Sequence, residues 1–118
     1  RHSVQVTATV VKVSAGATAH VKVARVGNIN QIIEELKKDN IWIYGAEAEG
    51  EVNYQDENYE SAMALVIGAE GKGLSKLTKE LCDFRLRIPM KGQLNSLNAS
   101  VAASILMFQV LEKRMMEK

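Results

Sequence analysis

The chain has 118 residues, of which 47% are hydrophobic and 25% are charged. It is therefore long enough for one domain with its own core and too apolar for a disordered chain. Its formal charge of +1 provides no overall attraction to nucleic acid or to anionic lipid. The single cysteine, Cys82, excludes an intrachain disulfide and favours a reducing intracellular compartment. Together with His2 and His20 it has no metal-ligand spacing, so we expect no metal site.

The apolar runs are all shorter than the roughly 20 residues that a transmembrane helix needs, so we expect no membrane partner. The first residues, Arg1, His2 and Ser3, contain neither an initiator methionine nor the apolar core of a signal peptide. We therefore expect a fragment of a longer protein, located in the cytoplasm.

The first half of the chain alternates between strand patterns and a helix pattern. Apolar residues rich in valine alternate over residues 4–13 and 21–26, which locally favours two strands. An apolar stripe with helical spacing follows over residues 28–40, where Asn28 is a suitable N-cap. The apolar run 41–44 is typical of a strand covered on both faces, as in a parallel sheet. The order strand, helix, strand predicts an α/β fold.

The second half begins with an acidic segment. Residues 47–60 carry six acidic and no basic side chains, which predicts a solvated loop. The apolar run 63–67 predicts a buried strand, followed by a glycine-rich loop and a helix over residues 75–82. A short strand over 86–88 precedes a second loop, and helical spacing of apolar residues predicts a long helix over 96–115.

The glycine-rich loop, residues 68–73, lets the backbone approach a ligand closely. The helix after it presents free N–H groups, which suit an adenine, a ribose or an anionic group. Its spacing, G-x-x-G-x-G, matches neither the dinucleotide fingerprint nor the phosphate-binding loop. A tight strand-to-helix turn, in which Glu70 only complements the helix dipole, explains the same residues equally well.

The second loop, residues 88–100, is dense in hydrogen-bonding side chains. Ser96, Asn98 and Ser100 could bind a ligand, or they could simply satisfy the free amides at the start of the long helix. Two loops at the carboxyl ends of neighbouring strands nevertheless describe the place where open α/β sheets bind ligands.

Residues 65–73, LVIGAEGKG, and 88–100, IPMKGQLNSLNAS, resemble the second and third motifs of the SpoU (TrmH) branch of the SPOUT RNA methyltransferases. Residues 14–17, 23–26 and 42–45 resemble the middle of the same catalytic domain in the ribosomal guanosine 2′-O-methyltransferases. The resemblance extends over essentially the whole chain.

This resemblance implies that residues 1–118 are the C-terminal portion of an α/β catalytic domain with a parallel sheet, the N-terminal part of that domain being absent. It implies a C-terminal trefoil knot within residues 63–118, which binds S-adenosylmethionine without a metal, and a homodimer. It also implies that residues 7–13 are helical, and we prefer this to the local strand pattern.

The same resemblance assigns roles to five residues. Backbone groups at Gly68, Ile88 and Leu97 are expected to hold the cofactor. The polar residues nearest the reaction centre are Glu70 and Asn98, which we expect to be catalytic. Methyl transfer requires the methyl group to be held in line with a ribose 2′-hydroxyl, and it requires a group that accepts the hydroxyl proton.

The sequence departs from the family pattern at one point. In the family, an arginine of the first motif acts in deprotonating the hydroxyl, and no segment here resembles that motif. We therefore expect the longer protein to methylate the 2′-oxygen of a ribose in RNA, specifically a guanosine of 23S ribosomal RNA, and the 118-residue chain alone to be inactive.

Two other functions remain open. The first is a non-catalytic knotted module that binds RNA or the cofactor. The second, a flavodoxin-like nucleotide-binding domain, leaves the loop around Ser96, Leu97 and Asn98 unexplained.

Overall fold

A mixed β-sheet forms the centre of the molecule. The structure is a computed structural model that describes residues 8–13, 21–26, 28–68, 74–89 and 99–116. Its elements are β1 (Ala8–Val13), β2 (Val21–Val26), α1 (Ile29–Lys38), β3 (Trp42–Ala46), β4 (Val52–Asn53), a 3₁₀ turn (Tyr54–Asp56), β5 (Met63–Gly68), α2 (Lys76–Leu81), β6 (Phe84–Arg87) and α3 (Ala99–Met116).

The order of the strands places β3 between the two strands that lead into the predicted ligand loops. That order is β2-β1-β5-β3-β6-β4. Strand β3 runs parallel to β5 and to β6, and β4 runs parallel to β6. Strand β1 is antiparallel to both of its neighbours, β2 and β5. The predicted α/β fold with a mostly parallel sheet is confirmed.

Helices cover both faces of the sheet. On one face, Ile43 of β3 and Val66 of β5 belong to a buried cluster that includes Ile33 of α1. On the other face, Tyr44 and Leu65 pack in a cluster with the buried side of α3, which is formed by Ala102, Leu106 and Val110. The continuous apolar runs of β3 and β5 follow from this, because both faces of these strands are buried.

Helix α1 matches its prediction closely. Its N-cap is Asn28, whose side-chain Oδ1 accepts a hydrogen bond from the Gln31 N–H at 3.4 Å. Lys37 and Lys38 occupy the last turn, where positive charge complements the helix dipole. The chain then turns at Asn40, whose φ of 62° lies in the left-handed region that asparagine tolerates better than most residues.

The helix that the resemblance implied for residues 7–13 is wrong, because Ala8–Val13 is strand β1. This strand lies between β2 and β5 and pairs with both along its length. Val11 and Val13 are buried in the cluster beneath α3, whereas Val10 faces the α1 side. Burial on both faces suits a valine-rich strand, so the local pattern predicted this segment correctly.

The acidic segment is more ordered than the predicted solvated loop. It contains β4 and the 3₁₀ turn, and Tyr59 is fully buried within it. The Tyr59 hydroxyl donates to the Tyr54 carbonyl, and the Tyr44 hydroxyl donates to Glu57 Oε2 at 3.0 Å. These tyrosines attach the segment to the sheet, so the prediction of a loop is wrong for this part.

The long C-terminal helix is confirmed over Ala99–Met116. Its predicted first residues, 96–98, lie outside the described residues. The trefoil knot depends on the path of residues 69–73 and 90–98, which also lie outside them, and it stays a prediction. None of the described helices is long and apolar enough to cross a bilayer.

Candidate functional site

Three parallel strands end side by side and define one edge of the sheet, which we call the carboxyl edge. Ala46, the last residue of β3, pairs with Ile67 of β5 and with Leu86 of β6. The next residue of β5 is Gly68, and two residues beyond Leu86 lies Ile88. The ends of β5 and β6 therefore flank the end of β3, as expected of a ligand site in an open α/β sheet.

Two of the five predicted site residues lie at this edge. Gly68 is the half-buried last residue of β5. Ile88 is partly buried and packs against the cluster beneath α3, which gives its surroundings an apolar character. The other three, Glu70, Leu97 and Asn98, lie outside the described residues.

The glycine-rich loop leaves the sheet at Gly68, and the chain is described again from Leu74. Leu74 lies against Gly45 of β3. A Cβ atom at Gly45 would be 2.9 Å from Leu74 Cδ1 and 2.7 Å from Cys82 Sγ. Gly45 thus allows the segment that contains α2 to lie directly on β3 near the carboxyl edge.

Helix α2 is fixed by polar contacts at its N-terminus. Ser75 is the N-cap, and its Oγ accepts a hydrogen bond from the Thr78 N–H at 3.2 Å. The buried Thr78 hydroxyl donates to Asn30 Oδ1 of α1 at 2.7 Å. These contacts join the two helices on this face, so the start of α2 has a defined position.

An ion pair at the carboxyl edge was not predicted from the sequence. Glu47, the first residue after β3, has its Oε2 atom buried at 3.3 Å from Lys79 Nζ of α2. The backbone N–H of Glu47 donates to the Leu86 carbonyl at 2.9 Å. The sequence signal was weak, because Glu47 is one of six acidic residues in its segment and only its position directly after a strand distinguishes it.

Two arginines of β6 hold the beginning of the acidic segment. Arg85 Nη2 donates to Glu51 Oε2 at 2.8 Å, and this hydrogen bond raises the pKa of the Arg85 guanidinium. Arg87 Nη1 donates to the Gly50 carbonyl at 2.8 Å. A Cβ atom at Gly50 would be 2.7 Å from the Arg85 carbonyl oxygen, so glycine allows this close approach to β6. Both arginines therefore have structural partners.

The carboxyl edge can bind a ligand between the ends of its strands. Gly68 has no side chain to block a ligand, and Ile88 provides apolar contact, which together suit the adenosine part of a nucleoside cofactor. Within the described ranges, no group of three or more His, Cys, Asp or Glu side chains could hold a metal ion.

Comparison with known proteins identifies the family. The model of the SpoU rRNA Methylase family matches residues 1–108. The chain belongs to this family. A protein of Staphylococcus haemolyticus that is named for the TrmH family of tRNA/rRNA methyltransferases is 51% identical over 114 residues, which are 97% of this chain and 46% of that protein. A protein of Staphylococcus aureus with the same name is 48% identical over the same shares.

Solved structures agree with this assignment. A tRNA-modifying TrmH/SpoU enzyme of A. aeolicus superimposes with a TM-score of 0.70 at 32% identity, covering 78% of this chain and 47% of that one. The SpoU methyltransferase AviRb of Streptomyces viridochromogenes, in complex with AdoMet, gives 0.69 at 28% identity, covering 78% and 38%. The chain spans about half the length of the curated relatives it matches.

Proposed function

We propose that the protein containing this chain is an RNA methyltransferase that uses S-adenosylmethionine, and that the carboxyl edge is its cofactor site. The observation that carries this proposal is the placement of Gly68 and Ile88 on either side of the end of β3. The complex of AviRb with AdoMet supports the choice of cofactor. Family membership supports RNA as the substrate.

The residue roles are part of the proposal. Gly68, Ile88 and Leu97 hold the cofactor, which supplies an electrophilic methyl group on a sulfonium. Glu70 and Asn98 orient the ribose 2′-hydroxyl and the groups that accept its proton. The bound cofactor would supply an already electrophilic methyl group, so these residues would contribute mainly by holding the 2′-hydroxyl in line with it.

A finer part of the proposal concerns the target. A solved RNA 2′-O ribose methyltransferase superimposes with a TM-score of 0.68 at 30% identity, which supports ribose as the methylated group. The resemblance of residues 42–45 to the ribosomal guanosine enzymes supports a guanosine of 23S ribosomal RNA. A cytoplasmic location is consistent with that substrate.

We also propose a homodimer through α3. Val101, Phe108 and Met115 are exposed large apolar residues spaced seven apart, so they lie along one side of the helix. Phe108 is 68% exposed and Met115 72% exposed. A second copy of the same helix would cover this side, because a two-fold axis brings identical apolar surfaces together.

Substitutions of Glu70 and Asn98 test the catalytic roles. In the whole protein, Glu70→Ala and Asn98→Ala should each lower methyl transfer to RNA by about 10²–10³-fold, the usual effect of removing one well-positioned polar group. Calorimetric affinity for S-adenosylhomocysteine should be retained. Full activity in both variants would contradict the assigned roles, and cofactor binding without any transfer by the unsubstituted protein would favour the non-catalytic module.

A further inference from the structure

Glu47 contacts β6, the strand that leads into the second loop, and α2, the helix that follows the glycine-rich loop. Its backbone N–H donates to the Leu86 carbonyl at 2.9 Å, two residues before Ile88 on the same segment. Its carboxylate lies 3.3 Å from the ammonium of Lys79 on α2, the helix that follows the glycine-rich loop. One residue at the end of β3 therefore connects β6 and α2.

The contact between α2 and β3 has two parts at this edge. Leu74 and Cys82, on either side of α2, lie against Gly45. Two residues further along β3 and just beyond its end, Glu47 binds Lys79. The apolar contact fixes how closely α2 approaches the sheet, and the ion pair opposes sliding of α2 along it.

We propose that Glu47 is a positioning residue for the cofactor site, acting through its ion pair with Lys79. This inference rests on the proposed function of the carboxyl edge. Only five residues separate Gly68 from Leu74, so a displacement of α2 changes the relation between the two ends of a short connection. A substitution of Lys79 would then alter the cofactor site at Gly68 without direct contact between the two residues.

The burial of the Glu47 carboxylate, and not of the Lys79 side chain, which is 36% exposed, distinguishes this pair from an ordinary surface ion pair. The Glu47 side chain is 16% exposed, and its Oε2 atom is buried. On the same sheet edge, Arg85 and Glu51 form a pair at 2.8 Å in which Glu51 is 62% exposed. Exposed pairs contribute little to stability, whereas removing Lys79 leaves the buried oxygen of the Glu47 carboxylate without its counter-charge. The Arg85–Glu51 pair is therefore a matched control.

The test uses calorimetric titration of the whole protein with S-adenosylhomocysteine. Glu47→Gln removes the carboxylate charge and keeps the shape, and Lys79→Met removes its partner. We expect each to raise the dissociation constant on the order of tenfold. The exchange of charges, Glu47→Lys with Lys79→Glu, should recover most of the affinity. Glu51→Gln should leave it unchanged.

The outcomes separate this inference from the function on which it rests. If the unsubstituted protein does not bind S-adenosylhomocysteine, the proposed function fails. If it binds and both single variants bind S-adenosylhomocysteine as tightly as the unsubstituted protein, the positioning role through Lys79 is wrong. The role is also wrong if only Glu47→Gln lowers the affinity. Affinity for RNA, measured by filter binding, should not change in either variant. Circular dichroism identifies a variant that fails to fold, and the remaining single variant and the charge exchange then decide the matter.

Discussion

At the scale of single residues, Gly45 controls how closely α2 approaches the sheet. Because a Cβ atom there would meet Cys82 Sγ at 2.7 Å, Gly45→Ala should overpack this contact. We expect a loss of about 1–3 kcal/mol in the free energy of unfolding, measured by urea denaturation. Adding Cys82→Ala removes the nearer obstacle and should restore part of the loss. Equal stability of Gly45→Ala and the unsubstituted chain would show that the helix can move away without cost.

The Cys82 thiol makes the free energy of unfolding depend on pH in the alkaline range. Burial raises the pKa of its thiol from 9.0 to about 11. Above pH 9 the unfolded chain therefore releases the thiol proton more readily than the folded chain, so the folded state loses stability as pH rises toward 11. Cys82→Ala should reduce this decline in urea denaturation midpoints measured from pH 8 to 11.

The decline should not vanish in that variant, because burial also raises the pKa values of Tyr44 and Tyr59. These tyrosines lower the stability of the folded state only at higher pH, above the ordinary tyrosine pKa of about 10. An identical pH profile with and without Cys82 would contradict the assignment of the effect to the thiol.

Arg114 attaches the end of α3 to the segment that precedes β5. Its Nε donates to the Tyr59 carbonyl at 2.8 Å, and its Nη2 donates to the Ser61 carbonyl at 2.6 Å. Burial lowers the pKa of its guanidinium, which nevertheless remains charged in any ordinary buffer. Arg114→Met should cost about 1–3 kcal/mol in urea denaturation, because two carbonyls lose a charged donor. Lys113→Met is the control, and an equal cost in both variants would contradict this role.

The site residues differ in how far the sequence could predict them. Gly68 and Ile88 lie at neighbouring strand ends because their motifs follow predicted strands, and the register of parallel strands brings such ends together; their binding role stays a prediction. Glu47 could not be predicted, because its partner Lys79 is distant in sequence and the charge pattern alone does not reveal which of six acidic residues turns toward α2.

At the scale of elements, periodicity predicted most strands and helices. It was more reliable than the resemblance for β1, where the valine pattern reflects real burial on two faces between β2 and β5. It failed in the acidic segment, because charged residues surround the buried Tyr59 and conceal its contribution to the core. Strand β4 has only two residues and is too short to show any period.

Helix α3 has apolar residues on more than one side, which explains why its sequence predicted a long apolar helix without indicating which side is buried. The structure buries Ala102, Leu106 and Val110 and leaves Phe108 exposed. This division is what makes α3 a candidate for self-association.

A single charge on the exposed side of α3 tests the proposed dimer. Light scattering of the 118-residue chain should give about 26 kDa, twice its mass of 13.0 kDa. Phe108→Glu should shift the mass toward 13.0 kDa, because the contact would bury an unpaired charge. Leu111→Glu is a second test, and Gln109→Glu adds the same charge on a different side of the helix. A mass of 13.0 kDa at all concentrations in the unsubstituted chain would contradict the dimer.

At the scale of the whole molecule, the fold places the carboxyl edge between two helical layers. Helices α1 and α2 lie on one face and α3 on the other, and the ends of β3, β5 and β6 meet between them. The loops that carry Glu70 and Asn98 leave the sheet from this edge. The account therefore requires that cofactor binding and methyl transfer belong to the same part of the protein.

Transfer of a labelled methyl group from S-adenosylmethionine to RNA by the whole protein tests this account most directly. Alkaline cleavage of RNA needs a free 2′-hydroxyl, so a methylated ribose protects the adjacent linkage. We predict that the label appears in alkali-resistant dinucleotides and that Asn98→Ala lowers it by about 10²–10³-fold. Absence of label in the RNA, or label only in alkali-released mononucleotides, would contradict ribose 2′-O-methylation.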